Sequence, residues 1–515
     1  MRKAGIALAL FASLSCSGPT PPSDTFRSYL GEEPQSLDPI RAVDQSSGLL
    51  VSLIYPGLFR FSPSGETLAD LVRDWSLDES GCEYLFHLES GRFFDDGSLL
   101  HSGTVLRCFH RLLDPEHPSP RRWVLSLLEG AEAFQNGLSP RISGLEAPDD
   151  STLRIRLREP FSPFPGLLAM PATRLYPEGE EGQPARRGRI PVAGGAWRLE
   201  EWKRGEEFLL ARRGDCPPDG FSRLSFRIIP QAFTAVAEFE VGNLDLLTIP
   251  QAEFAYWQNE DRPLLRQQQL SVTYLGLNLQ KPPLDDLRVR QALNRAIDVP
   301  AIMKTLRGDA AIPARGPVPP ALRSRDPEEV LSYDPQEARK LLQEAGLPDG
   351  FEMEIWQKEN PETSRLLEAV QSYLAEVGVR VKIVVRDWGA FKEAINQGSA
   401  DAFVMDWLAD YPDAENFLYP LFHSSNRGGG GNRCGMEDPW MDLMLEELRL
   451  RPAGAAREEL VNRINESLYR KAAWIWLWHP VTLQVIRPGI RGYEAPVIFN
   501  GQDYREMKSG DPHRP

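Results

Sequence analysis

The stretch FEMEIWQKENPETSRLLEAVQSYLAEVGVRVKIVV, residues 351–385, decides the fold class. FEMEIW (351–356) reads as a strand, with glutamates alternating among apolar residues. From about Glu362 to Glu376 the pattern is helical, Gly378 supplies the stop, and VRVKIVV (379–385) alternates once more. A strand, a helix and a strand joined by short loops favour a right-handed parallel crossover. A helix over Trp388–Asn396 and a strand over ADAFVMDW (400–407) extend the series, so this half of the chain reads as an α/β lobe.

At the end of that last strand lies DWLADYPDAENF (406–417), with four carboxylates and three aromatic rings in twelve residues. Acids this close repel one another unless a positive group lies nearby. The cluster sits at and just beyond the C-terminal end of a strand in an open α/β sheet, the edge where such sheets bind ligands. It is therefore a candidate site.

Upstream, RVRQALNRAID (288–298) places Val289, Ala292, Leu293, Ala296 and Ile297 on one helical face. DPQEARKLLQEAG (334–346) reads as a helix with Asp334 as N-cap, Pro335 in the first position, Glu337 closing a capping-box-like pair, and Gly346 as the stop. The first half has a different period. Tyr84, Phe86 and Leu88 alternate with polar neighbours, and LRIRLR (153–158) alternates between Leu or Ile and Arg, as half-exposed strands do. GAWRLEEWKRGEEFLLAR (195–212) predicts a hairpin turning at KRGE (203–206).

A chain of 515 residues exceeds one ordinary core and implies two or three domains. Hydrophobic content of 42% and charged content of 25% match a globular protein. The formal net charge of −15 argues against a nucleic-acid partner, which would need a basic face. There is no phosphate loop, no GxGxxG, no HExxH, no CxxC and no GxSxG, and none of the seven histidines sits at i,i+4 ligand spacing. No catalytic residue, metal or cofactor is expected, and binding is the better functional class.

The N-terminus reads MRKAGIALALFASLSCSGPT: basic Arg2 and Lys3, a mostly apolar run Ala4–Leu14, then small residues before Cys16. The run is too short to span a bilayer and fits a secretory signal peptide over 1–15. Ser13–Cys16 resembles a bacterial lipobox, with Leu14 two residues before the cysteine where the pattern places it three before. Cys16 is then the expected lipid attachment point and 16–24, ending in PTPPSD, a short tether. The expectation is an exported periplasmic or cell-envelope lipoprotein, held to a membrane through lipid alone. Cys82, Cys108, Cys216 and Cys434 remain, either as free thiols or in one of three pairings.

Several segments together resemble the extracytoplasmic solute-binding proteins of ABC importers, family 5, the peptide/nickel type. They are EEPQSLDPI (32–40), IYPGLFRFSPSG (54–65), LADLVRDWSLDESGCEYLFHLESGRFFDDG (68–97), VAGGAWRLEEW (192–202), TYLGLNLQKPPLDDLRVRQALNRAID (273–298) and DWLADYPDAENF. The resemblance implies a bilobed, type II periplasmic-binding-protein-like α/β fold with an additional β-rich domain inserted in the first lobe. The expected division is a first lobe at 25–55, 190–272 and 483–515, an inserted domain at 56–189, and a second lobe at 273–482. The expected role is capture of a di- or oligopeptide in an interlobe cleft and delivery to an ABC permease and ATPase complex by a monomer. A non-peptide ligand (metal chelate, haem or oligosaccharide) and a surface sensor or adhesin lipoprotein are the alternatives.

Peptide binders of this family anchor the ligand's α-ammonium on an Asp three residues after a Trp, which the resemblance carries onto Asp410 and Trp407. Tyr411 is expected to line the cleft. Asp413 is expected to be the N-cap of a helix over Ala414–Phe422 with Asn416 in its third position, and Glu415 to be solvated. Dipeptide-specific relatives carry an Arg after the strand matching FEMEIW, where this chain has Gln357 and Lys358; these two are the candidates for the ligand's other end. Longer-peptide relatives can place a basic residue three before the Trp, at the position of Val404.

Overall fold

The computed structural model describes residues 24–180, 190–259, 263–328 and 330–510. Cys16, the signal peptide and nearly all of the tether lie outside the described residues.

A four-stranded sheet runs in the order Thr25–Leu30, Arg223–Ile228, Glu207–Arg212, Trp197–Lys203. The last two strands are the expected hairpin, with the Glu206 N–H donating to the Lys203 carbonyl at 3.0 Å across the turn and Gly205 at φ 71°. The first strand pairs in parallel with Arg223–Ile228, so the chain leaves this sheet after residue 30 and rejoins it only at residue 197.

Within that excursion lies a second, antiparallel sheet in the order Val72–Leu77, Glu83–Leu88, Thr152–Arg156, Leu145–Asp149. Alternation does here what period-2 patterning requires. Tyr84, Phe86 and Leu88 are buried with Leu153 and Ile155, while Arg154 and Arg156 on the outer face pair with Glu146 and Glu83, each at 3.0 Å. Each buried apolar side chain contributes about 1.5–3 kcal/mol, and each exposed ion pair less than about 1 kcal/mol, so the inner face sets the register.

The largest sheet has eight strands, with the path Leu246–Thr248, Trp474–Ile486, Ser271–Leu277, Ala402–Leu408, Glu352–Lys358, Arg380–Arg386. Glu352–Lys358 is parallel to both Arg380–Arg386 and Ala402–Leu408, as the crossover pattern predicts. Helices Pro361–Glu376 and Trp388–Asn396 make the connections. Ser271–Leu277 runs antiparallel to Ala402–Leu408 on one side and to the thirteen-residue strand Trp474–Ile486 on the other, so the sheet is mixed. The first part of Trp474–Ile486 pairs with Ser271–Leu277 and its last part with Leu264–Gln268 and Leu246–Thr248. Tyr274 stacks on Trp474 with ring centroids 3.5 Å apart and planes 11° from parallel. Such a ring pair contributes about 0.5–1.5 kcal/mol beyond its buried area.

Val289, Ala292, Leu293, Ala296 and Ile297 are all buried, as their spacing requires. Helix Pro335–Glu344 is capped by Asp334, which accepts from the Gln336 and Glu337 N–H groups. No capping box forms: the Glu337 carboxylate pairs with Lys340 at 3.1 Å, a one-turn neighbour that reaches it first. Cys82, Cys108, Cys216 and Cys434 are all free thiols.

Candidate functional site

Strand Ala402–Leu408 is buried over its first three residues and alternates between half-buried and exposed from Met405 on. That change marks where the strand leaves the core and presents side chains at the sheet's C-terminal edge. Met405 and Trp407 pack against the large core on one side. Val404 and Asp406 face the other way and line a cavity of about 420 Å³. Its walls include Thr273 and Trp478 from neighbouring strands, Lys358 from the end of its own strand, Arg307, Arg365, and Gln251 from before residue 272. The Thr273 hydroxyl donates to Asp406 at 2.6 Å, and Arg307 pairs with Glu362 at 3.3 Å. Three cations, Arg307, Lys358 and Arg365, thus face two carboxylates, Glu362 and Asp406, in one recess.

Beyond the strand the backbone turns. The Asn416 side-chain oxygen holds the turn by accepting from the Asp410 N–H at 3.0 Å and the Trp407 indole N–H at 3.4 Å. Asp410 is thereby aimed at Arg121, whose guanidinium donates to the carboxylate at 2.9 Å and to the Val43 carbonyl at 3.1 Å. The Asp410 side chain keeps 28% of its surface exposed. Burial pushes its carboxyl above the usual range, and Arg121 pulls it back.

The remaining acids differ from the sequence reading. Helix Glu415–Phe422 starts one residue later than expected, with Ala414 in the N-cap position. Asp413 still accepts from the Glu415 N–H at 2.7 Å, and it pairs with Arg457 at 2.8 Å. Glu415 is not solvated. It is 2% exposed, takes the Tyr411 hydroxyl as donor, and lies 3.2 Å from Arg449. Burial pushes its carboxyl up to about 7 against the opposing pull of Arg449. Asp413 and Asn416 flank it as polar residues, but the inward face of the turn is enclosed, and Arg449 and Tyr411 on that face make an acid tolerable there. Tyr411 is 4% exposed with its hydroxyl committed to Glu415, so it supports the turn from beneath instead of lining the cavity.

Lys358 and Gln357 part company because successive strand residues face opposite sides. Lys358 lines the cavity, with its ammonium 5.5 Å from the Trp388 ring centroid. Gln357 is 1% exposed and donates to Ser364 at 2.9 Å on the helix side. Arg121, Arg307, Arg365 and Asp406 were not foreseen. Asp406 had a signal, since it lies two residues from Val404 on the same strand face. The three arginines had none.

A family model described as bacterial extracellular solute-binding proteins, family 5 Middle, matches residues 66–429. The chain belongs to that family. Heme-binding protein A of Haemophilus influenzae is 29% identical over 450 residues, covering 82% of this chain and 81% of that protein. The dipeptide-binding protein of Escherichia coli is 27% identical over 463 residues, covering 83% and 84%. The solved structure of HbpA2 from Haemophilus parasuis matches with a TM-score of 0.83 at 24% identity, covering 94% of this chain and 99% of that one. The fold is therefore the bilobed type II binding-protein fold that the resemblance implied. This family 5 protein is a solute-binding, extracytoplasmic type, and among its described residues no helix is long and apolar enough to cross a membrane.

Proposed function

We propose that this family 5 protein captures a peptide between its lobes and delivers it to an ABC permease and ATPase, tethered to the membrane through a lipid on Cys16. The observation that carries the reading is the Asp410 carboxylate. A built turn holds it out, and its one charged partner among the described residues, Arg121, comes from a distant part of the chain. A carboxylate placed this way accepts a cation, and a peptide's α-ammonium supplies one in place of Arg121. Trp407 shields the turn, and the recess of Lys358, Arg365 and Arg307 supports a role for these cations in holding the ligand's carboxylate.

The excess of cations in that recess favours a second reading, an anionic peptide such as glutathione. The glutathione-binding protein GsiB of Escherichia coli is 29% identical to this chain. Native mass spectrometry of protein purified without unfolding separates the two. A mixture of short peptides leaving with the protein supports the first reading, a single mass of glutathione the second, and a haem or oligosaccharide mass overturns both.

A further inference from the structure

A second recess, of about 710 Å³, opens where strands Trp197–Lys203 and Glu207–Arg212, the 91–95 turn and the C-terminal segment 500–505 meet. It shares no lining residue with the Asp406 cavity and does not include Asp410 or Arg121. Seven of its lining residues are arginines and three are aspartates, a formal excess of four positive charges in a chain of net charge −15.

The aspartates hold part of this array in place. Asp95 pairs with Arg213 at 2.8 Å, Asp503 with Arg505 at 2.8 Å and with Arg60 at 3.4 Å, and Asp70 with Arg174 at 3.5 Å. Arg212 donates to the Arg505 carbonyl at 2.9 Å. Arg92 and Arg198 have no side-chain partner among the described residues and complete the wall.

Among the described residues, five buried polar atoms on the same wall also lack a hydrogen-bond partner: the Ser52 and Tyr55 hydroxyls, the Arg174 Nε, and both amide atoms of Asn500. Tyr55, Arg174 and Asn500 are 0%, 2% and 6% exposed. Buried polar atoms are rarely left unpaired, and each such group costs about 1–3 kcal/mol. Four of the five can donate. The recess is therefore rich in donors and positive charge and calls for an occupant made mostly of acceptor oxygens. Guanidinium forks match phosphate oxygens bidentately, and the volume falls within the range of small-molecule sites, beyond what one bare ion fills.

We propose that this arginine-lined recess binds a phosphate-bearing compound or headgroup, at a site separate from the interlobe cleft. The test is calorimetric titration of the full chain with sodium pyrophosphate at low ionic strength, against an Arg92→Ala, Arg198→Ala double variant. Neither side chain has a partner to lose, so the variant folds as the wild type does. An Asn500→Leu variant reports on the buried wall. Wild type should bind pyrophosphate, the double variant at least about tenfold more weakly, and both should hold the co-purified cleft ligand equally well. Vesicles of phosphatidylglycerol, with phosphatidylcholine as control, identify the source. Binding that pyrophosphate displaces assigns a lipid headgroup, and pyrophosphate binding without vesicle binding assigns a soluble phosphate compound. Wild-type affinity weaker than about 1 mM, equal affinity in wild type and double variant, or citrate binding as tightly as pyrophosphate would overturn the proposal. Loss of the cleft ligand in the double variant would overturn the separation of the two sites.

Discussion

Arg121 and Asp410, 289 residues apart in the chain, meet in a 2.9 Å ion pair at the end of a strand of the largest sheet. The pair joins the segment between the two passages through the four-stranded sheet to the turn that follows Ala402–Leu408. If a ligand ammonium takes Asp410, it does so in competition with this guanidinium.

Removing the carboxylate tests the anchor. A charge-assisted hydrogen bond contributes about 1.5–3 kcal/mol net, so Asp410→Asn should weaken peptide binding by more than about tenfold. An N-acetylated peptide should bind wild type poorly and be nearly indifferent to the substitution. Equal sensitivity of both proteins to acetylation, read by calorimetry, would remove Asp410 from the site.

Removing the competitor should have the opposite sign. A partly exposed ion pair contributes about 0.2–1 kcal/mol, so Arg121→Ala should tighten binding of a peptide with a free amino terminus by up to about fivefold. Weaker binding would show that Arg121 touches the ligand itself.

Asn416 positions the turn without carrying charge. Asn416→Ala leaves the Asp410 N–H and the Trp407 indole without their acceptor. Urea unfolding should show a loss of about 1–3 kcal/mol. Affinity should fall while its dependence on acetylation persists, because the carboxylate is still present. A variant as stable as wild type would mean that the turn holds itself.

Glu415 predicts a pH dependence. Its carboxyl sits at about 7 in the fold against an ordinary 4.5, so the fold prefers the protonated acid. That contribution is full below about pH 4.5, declines as pH rises, and is gone above about 7. Relative to Glu415→Gln, wild type should lose on the order of 3 kcal/mol between pH 5 and pH 8. Parallel stability curves for the two proteins in urea would show that Arg449 keeps the carboxylate charged.

The tether is tested by Cys16→Ser, which should release protein from the membrane fraction with ligand affinity unchanged. Protein still bound after high-salt and carbonate washes would place the attachment elsewhere.

Much of the fold was legible because its signals are local. The hairpin at 197–212, the crossover from Glu352–Lys358 to Arg380–Arg386 and the buried face of Leu287–Ala296 each follow from periodicity within a dozen or so residues. Period records which side of an element meets apolar neighbours, and burial of about 1.5–3 kcal/mol per side chain enforces it. The same alternation separates Lys358 from Gln357 and puts Val404 and Asp406 on one face. What the sequence could not supply is which distant group faces which. Glu415 is buried because Tyr411 and Arg449 enclose it, and Asp410 is paired because Arg121 arrives from another sheet's surroundings. Seven arginines from residue 60 to residue 505 converge on one recess although no two of them share a local pattern that says so. Hydrophobic periodicity acts along the chain and can be read there; charge pairing acts through space, and only the tertiary structure brings its partners together.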